Sequence, residues 1–242
     1  MARRALFVFA VVAACWLKSF ALHTGDALHV LPRAMTVARL AALALPGLAI
    51  AAAAIYLARR WGLFSRVELG LERSAWQRRH PLRHAAIVGG LFAGFALAYM
   101  LPPINYAIAN GLNYADFLTE IRLHEYRSTL RPYEPIDAAA LGLSFLDDVV
   151  FPPLIEEVPY RALLVPLVLP LLGRWGAVVT SGVVFFLTHW IAYEQGPNLQ
   201  HFLSGAVLAF IFLRVGLAGS LAAHAGGNAG IWLLAFWAYA AS

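Results

Sequence analysis

The chain has 242 residues, of which 61% are hydrophobic and 13% are charged, and its formal net charge is +5. A mean hydropathy of +0.70 lies far outside the range of soluble globular proteins, so these values exclude a soluble enzyme and predict a membrane protein. The basic residues are arginines apart from Lys18, and they follow membrane topology rather than indicating a nucleic-acid partner. Cys15 is the single cysteine, which excludes an intramolecular disulfide, and we expect it to be buried.

Apolar segments follow one another along most of the chain and determine the predicted fold class. A transmembrane helix needs about 20 apolar residues, and eight segments approach that length, at 5–22, 37–58, 85–104, 138–155, 158–173, 175–192, 199–214 and 218–240. The fifth of these is short and contains three prolines, so it can be tilted, broken or merged with the fourth, which makes seven spans the alternative. We predict an all-α polytopic helical bundle that forms one integrated membrane domain, with N-terminal helices in 1–137 and a helical core in 138–242.

Arginines indicate the side of the membrane on which the loops lie. The segment 59–84 is strongly basic and, like Arg3 and Arg4 near the N-terminus, is expected in the cytoplasm. We predict a solvated loop at 59–84, with an amphipathic segment on anionic lipid as the alternative. The preference for arginine over lysine, with much alanine, indicates a GC-rich bacterial genome and hence a bacterial inner membrane. Arg3 and Arg4 predict a cytoplasmic N-terminus.

The polar segment 110–137 is then predicted on the opposite side of the membrane. The spacing of Phe117, Ile121 and His124 indicates a short amphipathic helix there. The charges around this helix are mildly acidic in balance, at Asp116, Glu120, Arg122, Glu125, Arg127, Arg131, Glu134 and Asp137.

Two adjacent carboxylates, Glu156 and Glu157, stand inside an apolar stretch. An ionised carboxylate at bilayer depth costs at least about 2.5–3.5 kcal/mol, so this pair indicates a functional site. Glu157 and Arg161 share a helix face in the favourable order, which predicts an ion pair and leaves Glu156 to find its partners on other helices. Pro159 is typical of a first helical turn, so we expect both carboxylates at a helix N-terminus. An ion pair that only fixes packing is the alternative.

Two further polar sets lie in later apolar segments. Phe185 and His189 are four residues apart and share a helix face, although a lone histidine near a helix end is more often structural. His224 and Asn228 have the same spacing, and both can donate hydrogen bonds to an oxyanion. Hydrogen bonding between helices is the alternative for that pair. The two glycines between them permit close helix packing or approach of a substrate.

The order of these three sets resembles that of a known family. They read Glu-Glu-x-x-x-Arg, then Phe-x-x-x-His, then His-x-x-x-Asn, which is similar to the CAAX-protease and bacteriocin-processing family, the Rce1-like or Abi group of intramembrane proteases. Every motif position matches, in Glu156-Glu157-Val-Pro-Tyr-Arg161, Phe185-Phe-Leu-Thr-His189 and His224-Ala-Gly-Gly-Asn228. The resemblance covers about residues 140–240, and residues 1–135 carry no motif. Ala162 is a departure, because the family often has glycine there.

The resemblance implies a glutamic intramembrane protease and a role for each motif residue. Glu156 would be the general base that activates a water molecule, and His189 would position that water and shuttle protons. His224 and Asn228 would form the oxyanion site, while Glu157 and Arg161 would orient and tune Glu156 with Phe185 in support. Direct attack by water needs no acyl-enzyme. We expect no cofactor.

Zinc is the alternative cofactor, since two histidines and a carboxylate with an open position form a legitimate catalytic zinc set. Against it, the chain lacks a His-Glu-x-x-His helix, and asparagine is a poor zinc ligand. Two other functions compete with proteolysis. One is a non-enzymatic family member acting in immunity or secretion. The other is a proton-coupled transporter, which would show internal repeats that this sequence lacks.

The expected partners are the lipid bilayer and a membrane-associated peptide or protein substrate, of which a prenylated CAAX protein is one possibility. For the motifs to meet inside the bilayer, the helices must be short, tilted or broken, and the prolines near the glutamates, Pro152, Pro153 and Pro159, are expected to supply a break. Asp147 and Asp148 can line a water path, or can instead cap a helix or pack. Glu194 and His201 are predicted to be loop residues.

Overall fold

The computed structural model describes residues 1–24, 36–72, 74–121, 130, 134, 136–192 and 197–241. Within those ranges the secondary structure is helical and contains no strand, which confirms the predicted all-α class. The helices are α1 (Ala2–Thr24), α2 (Thr36–Arg60), α3 (Ala75–Arg79), α4 (Pro81–Ala109), α5 (Tyr114–Ile121), α6 (Ala138–Phe145), α7 (Phe151–Glu157), α8 (Leu164–Leu187), α9 (Leu199–Val215) and α10 (Leu217–Ala240). Three π-helical turns join or extend them, at Leu146–Val150, Val158–Leu163 and Thr188–Ala192.

Three helical stretches of the described residues are long and apolar enough to cross a membrane, namely Leu40–Arg60, Pro81–Ala109 and Ala138–Ile191. Helix α9 is apolar but shorter. Large apolar side chains point outward from the bundle, among them Leu6, Phe9, Leu97 and Ile108, where lipid tails would cover them. These features are those of a membrane protein, while the predicted number of eight spans stays a prediction.

The prolines near the glutamates do not break the helix, which corrects the expected break. The run from Ala138 continues through them, because π-helical turns shift the backbone hydrogen bonds to carbonyls five residues back. The amide of Phe151 donates to the Leu146 carbonyl, five residues back, and the amide of Leu164 donates to the Pro159 carbonyl in the same way. The backbone instead turns at Gly173, whose φ of 66° and ψ of −175° suit glycine.

Glu156 and Glu157 lie at the C-terminal end of α7, so the prediction that they stand at a helix N-terminus is wrong. The reason is that Pro159 falls in the second π-helical turn, with continuous helix on both sides. The amide groups around the carboxylates are therefore used within the helix, and no N-terminal dipole faces them.

The basic segment 59–84 is only partly solvated, which corrects the prediction of a solvated loop. Phe64 and Leu69 are buried in it, and the Gly70 carbonyl accepts a hydrogen bond of 3.4 Å from the amide of Leu217. Two capping boxes stabilise its turns, because a serine and the acid or amide three residues later bond to each other's backbone. These pairs are Ser65 with Glu68 and Ser74 with Gln77.

The amphipathic helix predicted in the segment 110–137 exists as α5. Phe117 and Ile121 are buried in it, and the Phe117 ring contacts the Trp237 ring with a centroid distance of 5.4 Å. His124 lies outside the described residues, as do the charges predicted to surround it at Arg122, Glu125, Arg127 and Arg131. Cys15 is buried, as expected.

Helices α4 and α10 pack with their backbones in contact. A Cβ atom placed on Gly226 would lie 2.1 Å from the carbonyl oxygen of Phe92, and one on Gly230 would lie 2.3 Å from that of Ala96. Glycines four residues apart are typical of close helix crossings in membranes. This crossing places the neighbouring residues of α10, including those of the last motif, against the centre of the bundle.

We predict that Gly230→Ala destabilises the protein by about 1–3 kcal/mol, because the new methyl group cannot fit against the α4 backbone. Gly94→Ala is the matched control. A Cβ atom there meets open space, so the same substitution should leave stability unchanged or raise it by up to about 1 kcal/mol. Thermal unfolding in detergent measures both variants. Equal stabilities for the two would contradict the close crossing.

Candidate active site

A cavity of about 480 Å³ brings the predicted catalytic residues together. Glu156, His189, His224 and Asn228 all line it, with Phe185 at its wall. They come from three different stretches of helix: the end of α7, the region where α8 ends, and the middle of α10. The three motifs, at 156–161, 185–189 and 224–228 in the sequence, therefore meet at one place.

Behind the cavity, Glu157 and Arg161 form a buried ion pair. Arg161 Nη1 lies 3.2 Å from Glu157 Oε1, and both side chains have 0% exposure. The guanidinium carbon of Arg161 also lies 4.4 Å from the centroid of the Phe185 ring, a cation–π contact. The predicted ion pair is present, and Glu157 is the acidic partner that Arg161 has among the described residues.

The carboxylate of Glu157 also holds His224. His224 Nδ1 lies 2.9 Å from Glu157 Oε1, and since a carboxylate only accepts, Nδ1 must carry a proton. The opposite ring nitrogen, Nε2, then faces Glu156 and lies 3.8 Å from its Oε2. Glu157 was expected to tune Glu156. The residue that Glu157 contacts at the cavity is His224, which lies beside Glu156.

Asn228 is held by a backbone carbonyl that the prolines leave without a helical partner. In a helix the Asp148 carbonyl would accept from the amide four or five residues later, and both of those residues, Pro152 and Pro153, have no N–H. Asn228 Nδ2 donates to this carbonyl instead, at 2.8 Å. One N–H of the Asn228 side-chain amide is thus engaged. Its second N–H could donate a hydrogen bond to an oxyanion. Asp148 also lines the cavity, and its role in a water path stays a prediction.

His189 is oriented by its own helix and by neighbouring rings. Its Nδ1 lies 2.9 Å from the carbonyl oxygen of Phe185, and since a carbonyl only accepts, Nδ1 is the protonated nitrogen. In the neutral ring Nε2 is then the acceptor. The Phe185 ring lies 4.4 Å from the His189 ring and 6.0 Å from the His224 ring, so Phe185 packs against both histidines and Arg161.

His201 lies in the first turns of α9 and lines the cavity, so the prediction that it is a loop residue is wrong. Asn198 caps this helix by accepting from the amide of Gln200, which draws the polar turn into the helix. Glu194 lies outside the described residues.

Three more polar residues of the cavity wall were missed from the sequence. They are Gln200, Ser204 and Tyr99, and the hydroxyl oxygens of Ser204 and Tyr99 are 2.8 Å apart. A signal for two of them exists, since Gln200 and Ser204 are polar residues four apart on one face of an otherwise apolar helix. Among the described residues, no group of three or more His, Cys, Asp or Glu side chains is placed to hold a metal ion.

Comparison with known proteins gave one match, to a protein family. Residues 138–230 match the family model described as Rce1-like, a type II CAAX prenyl endopeptidase. No curated protein and no solved structure matches the chain. The matched range contains every motif residue of the cavity and of the buried ion pair, and the family implies a protease that acts on a protein or peptide. Residues 138–230 thus match the Rce1-like family of CAAX-type endopeptidases, which supports the family resemblance of the three motifs.

Proposed function

We propose that the protein is an intramembrane endopeptidase that hydrolyses a peptide bond of a membrane-associated protein or peptide, with Glu156 as the base that activates water. The observation that carries the proposal is the meeting of Glu156, His189, His224 and Asn228 in one cavity of the helix bundle. Glu156 is largely buried, with 6% exposure. A carboxylate at the wall of a cavity lined by polar side chains can act on water that enters with the substrate.

Hydrolysis by this site would begin with attack of water on the carbonyl carbon. The Glu156 carboxylate takes one proton from water while the remaining hydroxide forms the new C–O bond. The carbonyl oxygen becomes an oxyanion. It can accept hydrogen bonds from the second N–H of Asn228 and from a protonated Nε2 of His224. When the C–N bond breaks, the proton on Glu156 moves to the leaving nitrogen. His189, with Nε2 as acceptor, positions the water or relays that proton. The products are a carboxylic acid and an amine.

The buried ion pair supports this chemistry through His224. When Nε2 of His224 donates to an oxyanion, the ring carries positive charge, and the carboxylate of Glu157 at Nδ1 stabilises that charge. Arg161 is the buried countercharge of Glu157 and holds it in place from the other side. The proposed orientation, with the N-terminus in the cytoplasm of a bacterial inner membrane, is supported by the arginines of the segment 59–84.

Glu156→Gln should abolish cleavage while the protein stays folded, because the amide cannot accept the proton of water. The assay uses the protein in liposomes with an internally quenched peptide that ends in a farnesylated CAAX sequence. If wild type leaves this peptide intact, the second probe is the total membrane protein of a strain that lacks this chain, with new N-termini mapped by mass spectrometry.

Glu72→Gln, at an exposed carboxylate, is the control and should keep full activity. Cleavage by Glu156→Gln at the wild-type rate would contradict the mechanism, and failure of wild type on both probes would favour a non-enzymatic role.

Removing one member of the ion pair should destabilise the protein more than removing both. Arg161→Met leaves the Glu157 carboxylate buried without its cation. Glu157→Gln leaves the Arg161 guanidinium buried without its anion. Each should cost about 3–5 kcal/mol, whereas the double variant should recover part of that loss. Denaturant unfolding in detergent micelles measures all three. Additive losses in the double variant would show that the two side chains do not interact.

Activity should not depend on a bound metal. We expect dialysis against 1,10-phenanthroline to leave the cleavage rate unchanged, and elemental analysis of the active protein to find zinc far below one ion per chain. Among the described residues, no group of three or more His, Cys, Asp or Glu side chains is placed to hold a metal ion. Loss of activity with the chelator, restored by added zinc, would favour the zinc mechanism instead.

A further inference from the structure

The ring of His201 lies against the ring of His189, which the proposed mechanism uses. The two imidazoles are stacked, with a centroid distance of 4.2 Å and an angle of 25° between their planes. The Nδ1 atom of His201 is buried and has no hydrogen-bond partner among the described residues. The ring contact is therefore the interaction that the structure gives to this side chain, and no motif of the family accounts for it.

Two glycines bring His201 to this position. A Cβ atom on Gly205 would lie 2.7 Å from the Cβ of Phe185, and one on Gly182 would lie 2.9 Å from the carbonyl oxygen of Phe202. Helices α8 and α9 can approach this closely only because neither position carries a side chain. Gly205 is one turn beyond His201, so the contact sets the distance between the two histidine rings.

We propose that His201 is a positioning residue that, together with Phe185, fixes the plane of the His189 ring. Nδ1 of His189 is tied to the Phe185 carbonyl, which restrains one edge of the ring but permits it to tilt about that bond. The Phe185 ring at 4.4 Å and the His201 ring at 4.2 Å restrict this tilt. Nε2 is consequently held in one direction, as an acceptor lining the cavity.

The effect should fall on the chemical step rather than on substrate binding. A small misplacement of a catalytic group lowers the rate by up to about 10²-fold, and the role of His201 rests on the proposed function of His189. His201→Ala should therefore reduce kcat about tenfold with KM nearly unchanged. His201→Phe keeps a flat ring of similar size and should stay within about threefold of wild type. The probe is whichever of the two substrates described above the wild-type protein cleaves.

A double-mutant cycle separates action through His189 from a general loss of structure. If His201 acts through His189, His201→Ala should cause no further loss in a His189→Ala background. An equal loss in both backgrounds would overturn the proposal. The proposal would also fail if His201→Phe were as impaired as His201→Ala, since the ring nitrogens rather than the ring plane would then be responsible.

A measurement without substrate keeps this inference distinct from the proposed function. In ¹⁵N-histidine NMR spectra of the protein in micelles, with the His189 signal identified by its loss in His189→Gln, His189 should have a proton on Nδ1 in wild type and in His201→Phe. In His201→Ala its signals should broaden or show both tautomers. An unchanged His189 spectrum in His201→Ala would overturn the positioning role, whatever the outcome of the cleavage assay.

Discussion

The buried ion pair of Glu157 and Arg161 is the interaction on which the site depends. Both side chains are fully buried in a membrane bundle, where neither charge would be tolerated without the other. Each member of the pair also contacts another motif residue. Glu157 binds Nδ1 of His224 at 2.9 Å, and the guanidinium of Arg161 packs on the ring of Phe185. One costly interaction thereby orients groups from three parts of the chain.

Phe185 connects the ion pair to His189. Its ring packs against Arg161 and lies near the rings of His189 and His224, while its backbone carbonyl binds Nδ1 of His189. Glu156 is adjacent to Glu157 but points to the cavity instead of the ion pair. Two neighbouring glutamates therefore have different tasks, since one fixes the structure and the other faces the space where substrate and water would bind.

Prolines in the helix give the site its irregular backbone without breaking the helix. Pro152 and Pro153 leave the Asp148 carbonyl available, and Asn228 binds it from another helix. Pro159 lies in a π-helical turn, between Glu157 and Arg161 in the sequence. A regular helix would satisfy its own carbonyls and would have no acceptor to offer α10.

Local spacing predicted a large part of this arrangement. The four-residue interval predicted the Glu157–Arg161 pair, and the joint order of the motifs predicted which residues would gather. Contacts between helices were not predictable in the same way, because they depend on close approaches at Gly182, Gly205 and Gly226 whose partners the sequence does not name. The contact between the rings of His201 and His189 was missed for that reason. Pro159 misled because proline suits both a helix start and a π-helical turn, and only the surrounding packing decides between them.

The most direct test of this account is an experimental structure of the protein with a bound peptide in which a hydroxyethylene group replaces the cleaved amide. Such a group resembles the tetrahedral intermediate of water attack. We expect its hydroxyl within hydrogen-bonding distance of the Glu156 carboxylate, in the cavity between His189 and His224. A peptide bound elsewhere, or a hydroxyl in the cavity but out of reach of Glu156, would contradict the account.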